Sequence, residues 1–434
     1  QCSLYAVSSG TTGGRSKWLP MTDEMLAHVR SAGVASLLFY TARVGHSSVL
    51  RGRHLFLGSS SALAPIPAAK PFPAFAAELS GLAARDLPTW AERHLYEPGS
   101  EIAQLTSWPA KLDAIVQRTR RLDISLLAGL PHWLLLLAEA LRENETNAKD
   151  RAAHLQALWP NLECVVHGGL PLAPFQDELR RLIGPTVNFH EVYPATEGFI
   201  AAQDASADAG LRVLADQGLF FEFLPWRDYD ATLPPRLGPK AVPLADVRVG
   251  EDYVLLLTTP AGLCRYVLGD IVRFTSVEPP RLIHVGRTHL QLNAFGENVS
   301  EKDLTDALVA VCRRHAWTIA NFHVGPLFIS SLTGQQRGRH EWWVELKPGT
   351  VETPTGPILA GELDRELLSL NASYAGRRKT GALEAPVARL VMPGFFEHWI
   401  RHHGKFGGQH RLARSRNDRE IADELSAMAC FNAD

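Results

Sequence analysis

The sequence has almost no net charge: 44 lysines and arginines stand against 46 aspartates and glutamates, a balance of −2. No bulk field therefore draws the protein to nucleic acid or to an anionic membrane. Cysteine is scarce, with five residues in 434, scattered at Cys2, Cys164, Cys264, Cys312 and Cys430 without a C-x-x-C pair. That pattern fits buried thiols in a reducing cytosol better than a disulfide framework or a zinc site. Long hydrophobic runs are missing. The most apolar stretch, Leu126–Leu141, is broken by Pro131 and His132 and is too short to span a bilayer. No basic n-region with an apolar h-region opens the chain. Internal repeats and low-complexity tracts are absent as well. What remains, 46% hydrophobic and 21% charged, is a globular composition. Its length is that of two to three domains, each able to bury a core.

The stretch Ser8–Pro20, SSGTTGGRSKWLP, concentrates the chemistry near the start. Ser8, Ser9, Thr11 and Thr12 crowd against Gly10, Gly13 and Gly14, and Arg15 and Lys17 follow. Glycine lets backbone N–H groups turn toward an anion, hydroxyls add donors, and the cations add charge. Such a loop suits polyphosphate. It is not a Walker A loop, which needs G-x-x-x-x-G-K-[ST]; here Lys17 lies between Ser16 and Trp18. A solvated Gly/Ser/Thr loop is the alternative.

Thr22-Asp23-Glu24 reads as an N-cap with first-turn acids, opening a helix that Gly33 stops. Strands over 54–57, 124–128, 163–167 and 187–193 alternate with helices over 109–122, 131–142 and 174–183. This alternation predicts a parallel sheet covered on both faces, with ligands beyond the carboxyl ends of its strands. Gly129–Trp133, His167–Gly169 and Tyr193–Gly198 fall there. From Leu211 to Val285 the pattern becomes consecutive strands, including 264–267 and 271–274, which reads as an antiparallel sheet or distorted barrel attached to the first domain. After Gly286-Arg287 an α+β pattern follows, opening with a helix over 300–315 that Ser300 and Asp303 cap as a box. The expected fold is α/β. A large domain over 1–286 has a parallel sheet and an attached β-rich lobe, and a smaller, mobile α+β domain covers 287–434.

VYPATEGFIA, Val192–Ala201, offers a stacking face at Tyr193, a hydroxyl for phosphate at Thr196 and a hard oxygen ligand for Mg²⁺ at Glu197. A capping or ion-paired Glu197 is the alternative. CVVHGGLPL puts Gly168 and Gly169 just past a strand, where a plain strand-to-helix turn would also place them. AGLCRYVLGDIVRF holds Asp270, able to accept both hydroxyls of a ribose or to serve as a turn residue after Gly269. GKFGGQHRLARSRNDRE, Gly404–Glu420, is a basic loop flanked by glycines that can bind phosphate or stay solvated.

In their order along the chain these motifs resemble the GH3 family of acyl acid–amido synthetases, in its bacterial branch, within the adenylate-forming enzymes. The likeness runs from residue 3 to about residue 428. It implies that Ser8, Ser9, Gly10, Thr11, Thr12, Gly13 and Lys17 hold the phosphates of ATP. Y-x-x-[ST]-E-G places Tyr193 against the adenine, Thr196 near the α-phosphate and Glu197 on Mg²⁺, and Gly168 and Gly169 pass along the adenine. G-L-W-R-Y-x-x-G-D, with Cys264 replacing Trp, places Tyr266 and Asp270 at the nucleotide, Asp270 on the ribose. Arg287, at the hinge, reaches the ribose or phosphate. His132 and Trp133, in a stretch like G-x-P-S-W, border the acyl pocket or else begin a core-facing helix. G-G-Q-x-K-x-P-R has Arg411 and Ala413 where the family has Lys and Pro, so Arg411 or Lys405 supplies the charge on the phosphates. The implied catalytic set is Glu197, Thr196, Lys405 and Arg411, and the implied cofactors are ATP and Mg²⁺. The implied reaction is adenylation of a small carboxylic acid and acyl transfer to an amine, an amino acid, with AMP and pyrophosphate released. A cytoplasmic monomer with no nucleic-acid or membrane partner is expected. An acyl-CoA ligase and a catalytically impaired nucleotide-binding protein are the other classes. Family members carry roughly a hundred residues ahead of the glycine-rich loop, so a further N-terminal segment is expected as well.

Overall fold

The computed structural model describes residues 2–7, 17–66, 72–143, 154–229, 240–288, 292–297, 299–329, 337–348, 353–402 and 412–431. Ser8, Ser9, Gly10, Thr11, Thr12, Gly13, Lys405 and Arg411 lie outside them. The chain divides into two compact units. One takes in most of the chain as far as Leu268 with Val272–Ile283, and the other takes in Gly269–Ile271 and the chain from His284 onward.

Short apolar runs make the middle of the first unit. In Ile124–Gly129 the adjacent residues Leu126 and Leu127 are both buried, each in a different cluster on opposite faces of the strand. A strand covered on both faces has to be nearly all apolar, and the one polar side chain of this strand, the buried Ser125, donates its hydroxyl to Val49 C=O at 2.5 Å. Leu127 and Val165 pack under the helices Trp108–Thr119, Pro131–Glu143 and Gln176–Ile183. Leu126, Ala128 and Cys164 pack instead against Tyr40 of the helix Asp23–Val44. Tyr96–Glu97, Arg53–Phe56, Ile124–Gly129, Cys164–Gly168 and Asn188–Ala195 pair in parallel, in that order.

Next to Asn188–Ala195 the sense of the sheet changes. Gly198–Ala202 returns antiparallel, with Ala195 opposite Gly198, so only Thr196 and Glu197 form the turn. Two residues cannot make the long crossover a parallel partner needs. The ladder then runs on through Leu211–Val213, Pro280–Arg287, Tyr266–Val277, Asp252–Thr258, Phe220–Pro225 and Val242–Pro243, giving one sheet of 12 strands. The β-rich lobe thus extends the parallel sheet and does not close a separate barrel. The expected strands 264–267 and 271–274 are one, Tyr266–Val277, with Gly269 at φ 87° inside it.

The first helix also differs from expectation. Thr22 caps it as read, its hydroxyl accepting from Met25 N–H, but the helix continues through Gly33 to Val44. An interior glycine costs about 1 kcal/mol against alanine, which the buried face of Met25, His28, Ala32, Ser36 and Tyr40 outweighs. The stop is Gly45, at φ 78°, whose N–H reaches Thr41 C=O.

The second unit carries a sheet of three strands, Ile319–Ile329, Arg337–Leu346 and Val387–Val391, the last pair parallel. Glu301–Arg314 begins with the predicted capping box of Ser300 and Asp303. Helices Ala372–Thr380 and Phe395–His402 were not expected from the sequence. Among the described residues, no helix is long and apolar enough to cross a membrane.

Candidate functional site

In the first unit the fold gathers three residues that are far apart in the chain. Lys17 Nζ donates to the Tyr266 hydroxyl at 2.8 Å across 249 positions, and it sits 5.3 Å from the centroid of the same ring. Tyr266 interacts in turn with Glu197, in the two-residue turn. Burial raises the Tyr266 pKa; the Lys17 bond opposes this and the Glu197 carboxylate reinforces it. The phenol therefore stays protonated, accepting from the lysine and donating to the carboxylate. Lys17 is exposed, and Tyr266, Thr196 and Glu197 are half-buried, so this chain of polar groups meets solvent. It presents a cation, a hydroxyl and a carboxylate side by side, the donor set for phosphate oxygens and a hard divalent ion.

The backbone before Tyr266 is strained. Arg265 has φ 46°, unusual for a residue with a Cβ. Its N–H is held by Thr258 Oγ1 at 3.0 Å and its Nε by Glu222 Oε2 at 3.0 Å. Strain of this kind persists where its surroundings over-determine it, and here it sits beside the residue that links Lys17 to Glu197.

Gly168 ends its strand opposite Val192, and a Cβ there would lie 2.2 Å from Val192 C=O. Only glycine permits that approach, and it seats the strand that leads to Tyr193 and the turn. Gly169 follows at φ 74°. Tyr193 is buried among Ile200, Val213 and Phe221. Trp133 packs in the core, its ring 4.6 Å from that of Trp108, as the core-facing reading of this helix start requires. His132 is half-buried, its ring 5.7 Å from that of Trp133 at a steep interplanar angle of 60°.

In the second unit Asp270 and Arg287 meet. Arg287 Nε lies 2.9 Å from Asp270 Oδ1, with His284 Nε2 at 3.7 Å, and Thr288 N–H donates to Gly269 C=O. Asp270 is buried within a strand, so it is not a turn residue. Arg414, at the end of the basic loop, is also buried. Its guanidinium lies 5.0 Å over the Phe322 ring, donates to Thr305 Oγ1 and approaches Glu301 at 4.0 Å. Val324 N–H bonds to Arg414 C=O, and His323 Nδ1 donates to Ala413 C=O at 2.6 Å. Arg414 is therefore a structural anchor, and neither the phosphate-binding nor the solvated alternative for the basic stretch applies to this residue. The sequence held no sign of this, since a buried arginine and a solvated one look alike in a basic run.

Sequence profiles of the GH3 family match almost the whole chain: the N-terminal domain over residues 1–187, the central domain over 212–287 and the C-terminal domain over 302–420. The chain belongs to the GH3 family. It is 28% identical over 309 residues to a probable indole-3-acetic acid-amido synthetase of Oryza sativa subsp. japonica, covering 64% of this chain and 50% of that one. It is also 28% identical over 243 residues to a jasmonoyl–L-amino acid synthetase of Nicotiana attenuata, covering 53% and 39%. This GH3 chain thus spans about half the length, or less, of the curated relatives it matches. Its fold is that of a solved GH3.15 acyl acid amido synthetase, with a TM-score of 0.71 at 18% identity over 98% of this chain and 82% of that one. A 2-hydroxyisobutyryl-CoA ligase in its postadenylation state shares the fold more distantly, with a TM-score of 0.58 at 14% identity over 98% and 76%.

Proposed function

We propose that this GH3 protein is an ATP-dependent ligase that joins a small carboxylic acid to an amine, an amino acid, through an acyl adenylate. The observation that carries the reading is the link from Lys17 through Tyr266 to Glu197, three motif residues brought together from distant parts of the chain. In the first half-reaction a carboxylate oxygen of the acid attacks the α-phosphorus, a new C(O)–O–P bond forms and pyrophosphate leaves. In the second, the amine nitrogen attacks the acyl carbon, loses a proton and expels AMP. Lys17 neutralises phosphate charge, Tyr266 fixes the directions of Lys17 and Glu197, and Thr196 offers its hydroxyl to the α-phosphate. A half-buried carboxylate on a tight turn fits Mg²⁺, which is held through one or two carboxylates and the substrate's phosphates. Glu197 would hold it, and the ion would supply charge neutralisation at the phosphates. Tyr193, Gly168 and Gly169 are assigned to the adenine, Asp270 and Arg287 to the ribose, and His132 to the rim of the acyl pocket. The segment 287–434, with Lys405 and Arg411, is assigned to a domain that changes position between the half-reactions, because each needs different groups at one centre.

The test is pyrophosphate release by the full chain with ATP, Mg²⁺ and a panel of aryl and alkyl acids, followed by mass detection of amides when amino acids are added. Acid-dependent release and amide formation support the proposal. Release followed by a thioester with coenzyme A, and no amide, selects the acyl-CoA ligase reading, to which the fold of the 2-hydroxyisobutyryl-CoA ligase lends support.

A further inference from the structure

The turn that carries Glu197 is held from outside its own hairpin. Phe199 stands opposite Pro194, and the register shifts by one residue before Ala201 pairs with Tyr193. A proline beside a bulge leaves the local ladder incomplete, because proline has no N–H and a bulge disrupts the regular exchange of bonds. The Phe199 N–H is satisfied elsewhere: it donates to Nε2 of His28, at 2.9 Å, on the helix Asp23–Val44. The other ring nitrogen, Nδ1, lies 2.6 Å from the Gln217 carbonyl. An acceptor at Nε2 and a carbonyl at Nδ1 fix one tautomer, neutral and protonated at Nδ1. His28 is 3% exposed, so neither bond has water as a ready substitute. Burial lowers its pKa, against the Gln217 bond, in keeping with a neutral ring. The packing leaves no slack. A Cβ on Gly198 would come 2.6 Å from Leu219 Cδ1 and 3.6 Å from His28 Nε2.

We infer that His28 is a positioning residue for Glu197: it ties the hairpin just past the turn to the first helix and to the Gln217 loop, and so sets where the carboxylate stands. The inference rests on the ligase reading only for its catalytic consequence; the hold on Phe199 is independent of it. His28 belongs to none of the motifs that carry the family likeness.

Two variants separate positioning from general support. His28→Leu fills similar space and removes both hydrogen bonds. His28→Gln keeps one acceptor and one donor. Hydrogen exchange at the Phe199 amide, read in the ligand-free full chain, should be fast in His28→Leu and protected in wild type and His28→Gln. The Mg²⁺ concentration for half-maximal acid-dependent pyrophosphate release should rise roughly three- to tenfold in His28→Leu, the weight of about one lost hydrogen bond, with partial recovery in His28→Gln. Equal exchange at Phe199 in all three proteins overturns the inference. So does an unchanged Mg²⁺ requirement in an active His28→Leu protein. If both variants lose cooperative melting alike, His28 is a general support of the fold and the inference also fails. A wild type that releases no pyrophosphate with any acid defeats the ligase reading instead, and the exchange experiment then decides the case for His28 alone.

Discussion

Lys17 and Arg414 make nearly the same contact in the two units of the chain. One ammonium lies 5.3 Å from the Tyr266 ring and one guanidinium 5.0 Å from the Phe322 ring. Lys17 is exposed and leads through a phenol to a carboxylate that also reaches solvent. Arg414 is buried, and its neighbours Ala413 and Ser415 are tied to the strand Ile319–Ile329 through His323 and Val324. A cation in contact with water remains available to an anionic ligand, while one enclosed by a ring, a hydroxyl and a carboxylate is committed to the fold. Two arginines or lysines in basic, glycine-flanked stretches are thus not equivalent, and burial distinguishes them.

The sharpest test of the open region is Glu197→Gln. It should slow acid-dependent pyrophosphate release about a thousandfold, roughly 4 kcal/mol of transition-state stabilisation, with an unchanged melting midpoint. Normal release would remove Glu197 from the chemistry. Arg414→Ala should act the other way round, costing about 3 kcal/mol or more of stability in denaturant titration, because a buried, partnered charge is lost and its Glu301 partner remains. Lys17→Ala should shift stability by less than about 0.5 kcal/mol while weakening ATP binding. If Lys17→Ala unfolds the protein as readily as Arg414→Ala, the contrast between the regions is wrong. Asp270→Ala, at the buried pair with Arg287, should weaken ATP binding by about 1.5–3 kcal/mol. Normal affinity in a folded variant would make Asp270 purely structural.

The smallest effect concerns acid. Burial pushes His323 down to about 4 in the second unit. It does the same for His190, to about 4, and for His167, to about 3, in the first. Each is neutral in the fold and titrates near 6.5 when unfolded, so its contribution is complete above pH about 6.5 and is lost as pH falls toward the folded value. At pH 5.5, about one unit below the unfolded value, each should cost about 1.4 kcal/mol. Substituting His323 by Gln should flatten the decline between pH 6.5 and 4, and an identical slope would show that His323 does not take part.

Where local pattern decides structure, the sequence was readable. The buried strand Ile124–Gly129, the Ser300–Asp303 capping box and the Thr22 cap follow from residues within one turn or strand of each other. Gly33 misled because the helix face from Met25 to Tyr40 packs well enough to carry an interior glycine. The expectation of separate strands over 264–267 and 271–274 failed in a similar way, since a glycine at positive φ can sit inside a strand as well as end one. Within the site, the motifs marked Lys17, Tyr266 and Glu197 but not their mutual contact, which is a tertiary event. His28 was hidden altogether, a single polar residue on the buried face of an amphipathic helix.

The turn Thr196–Glu197 is also the junction at which the sheet changes from parallel to antiparallel pairing. Pleating has a period of two, so one residue added there would turn every later side chain of Gly198–Ala202 to the opposite face. The turn is therefore a poor place for evolutionary drift. Length variation here would disturb the pairing and the side chains packed beside it. Changes in length are better accommodated on surfaces other than the one that carries Glu197.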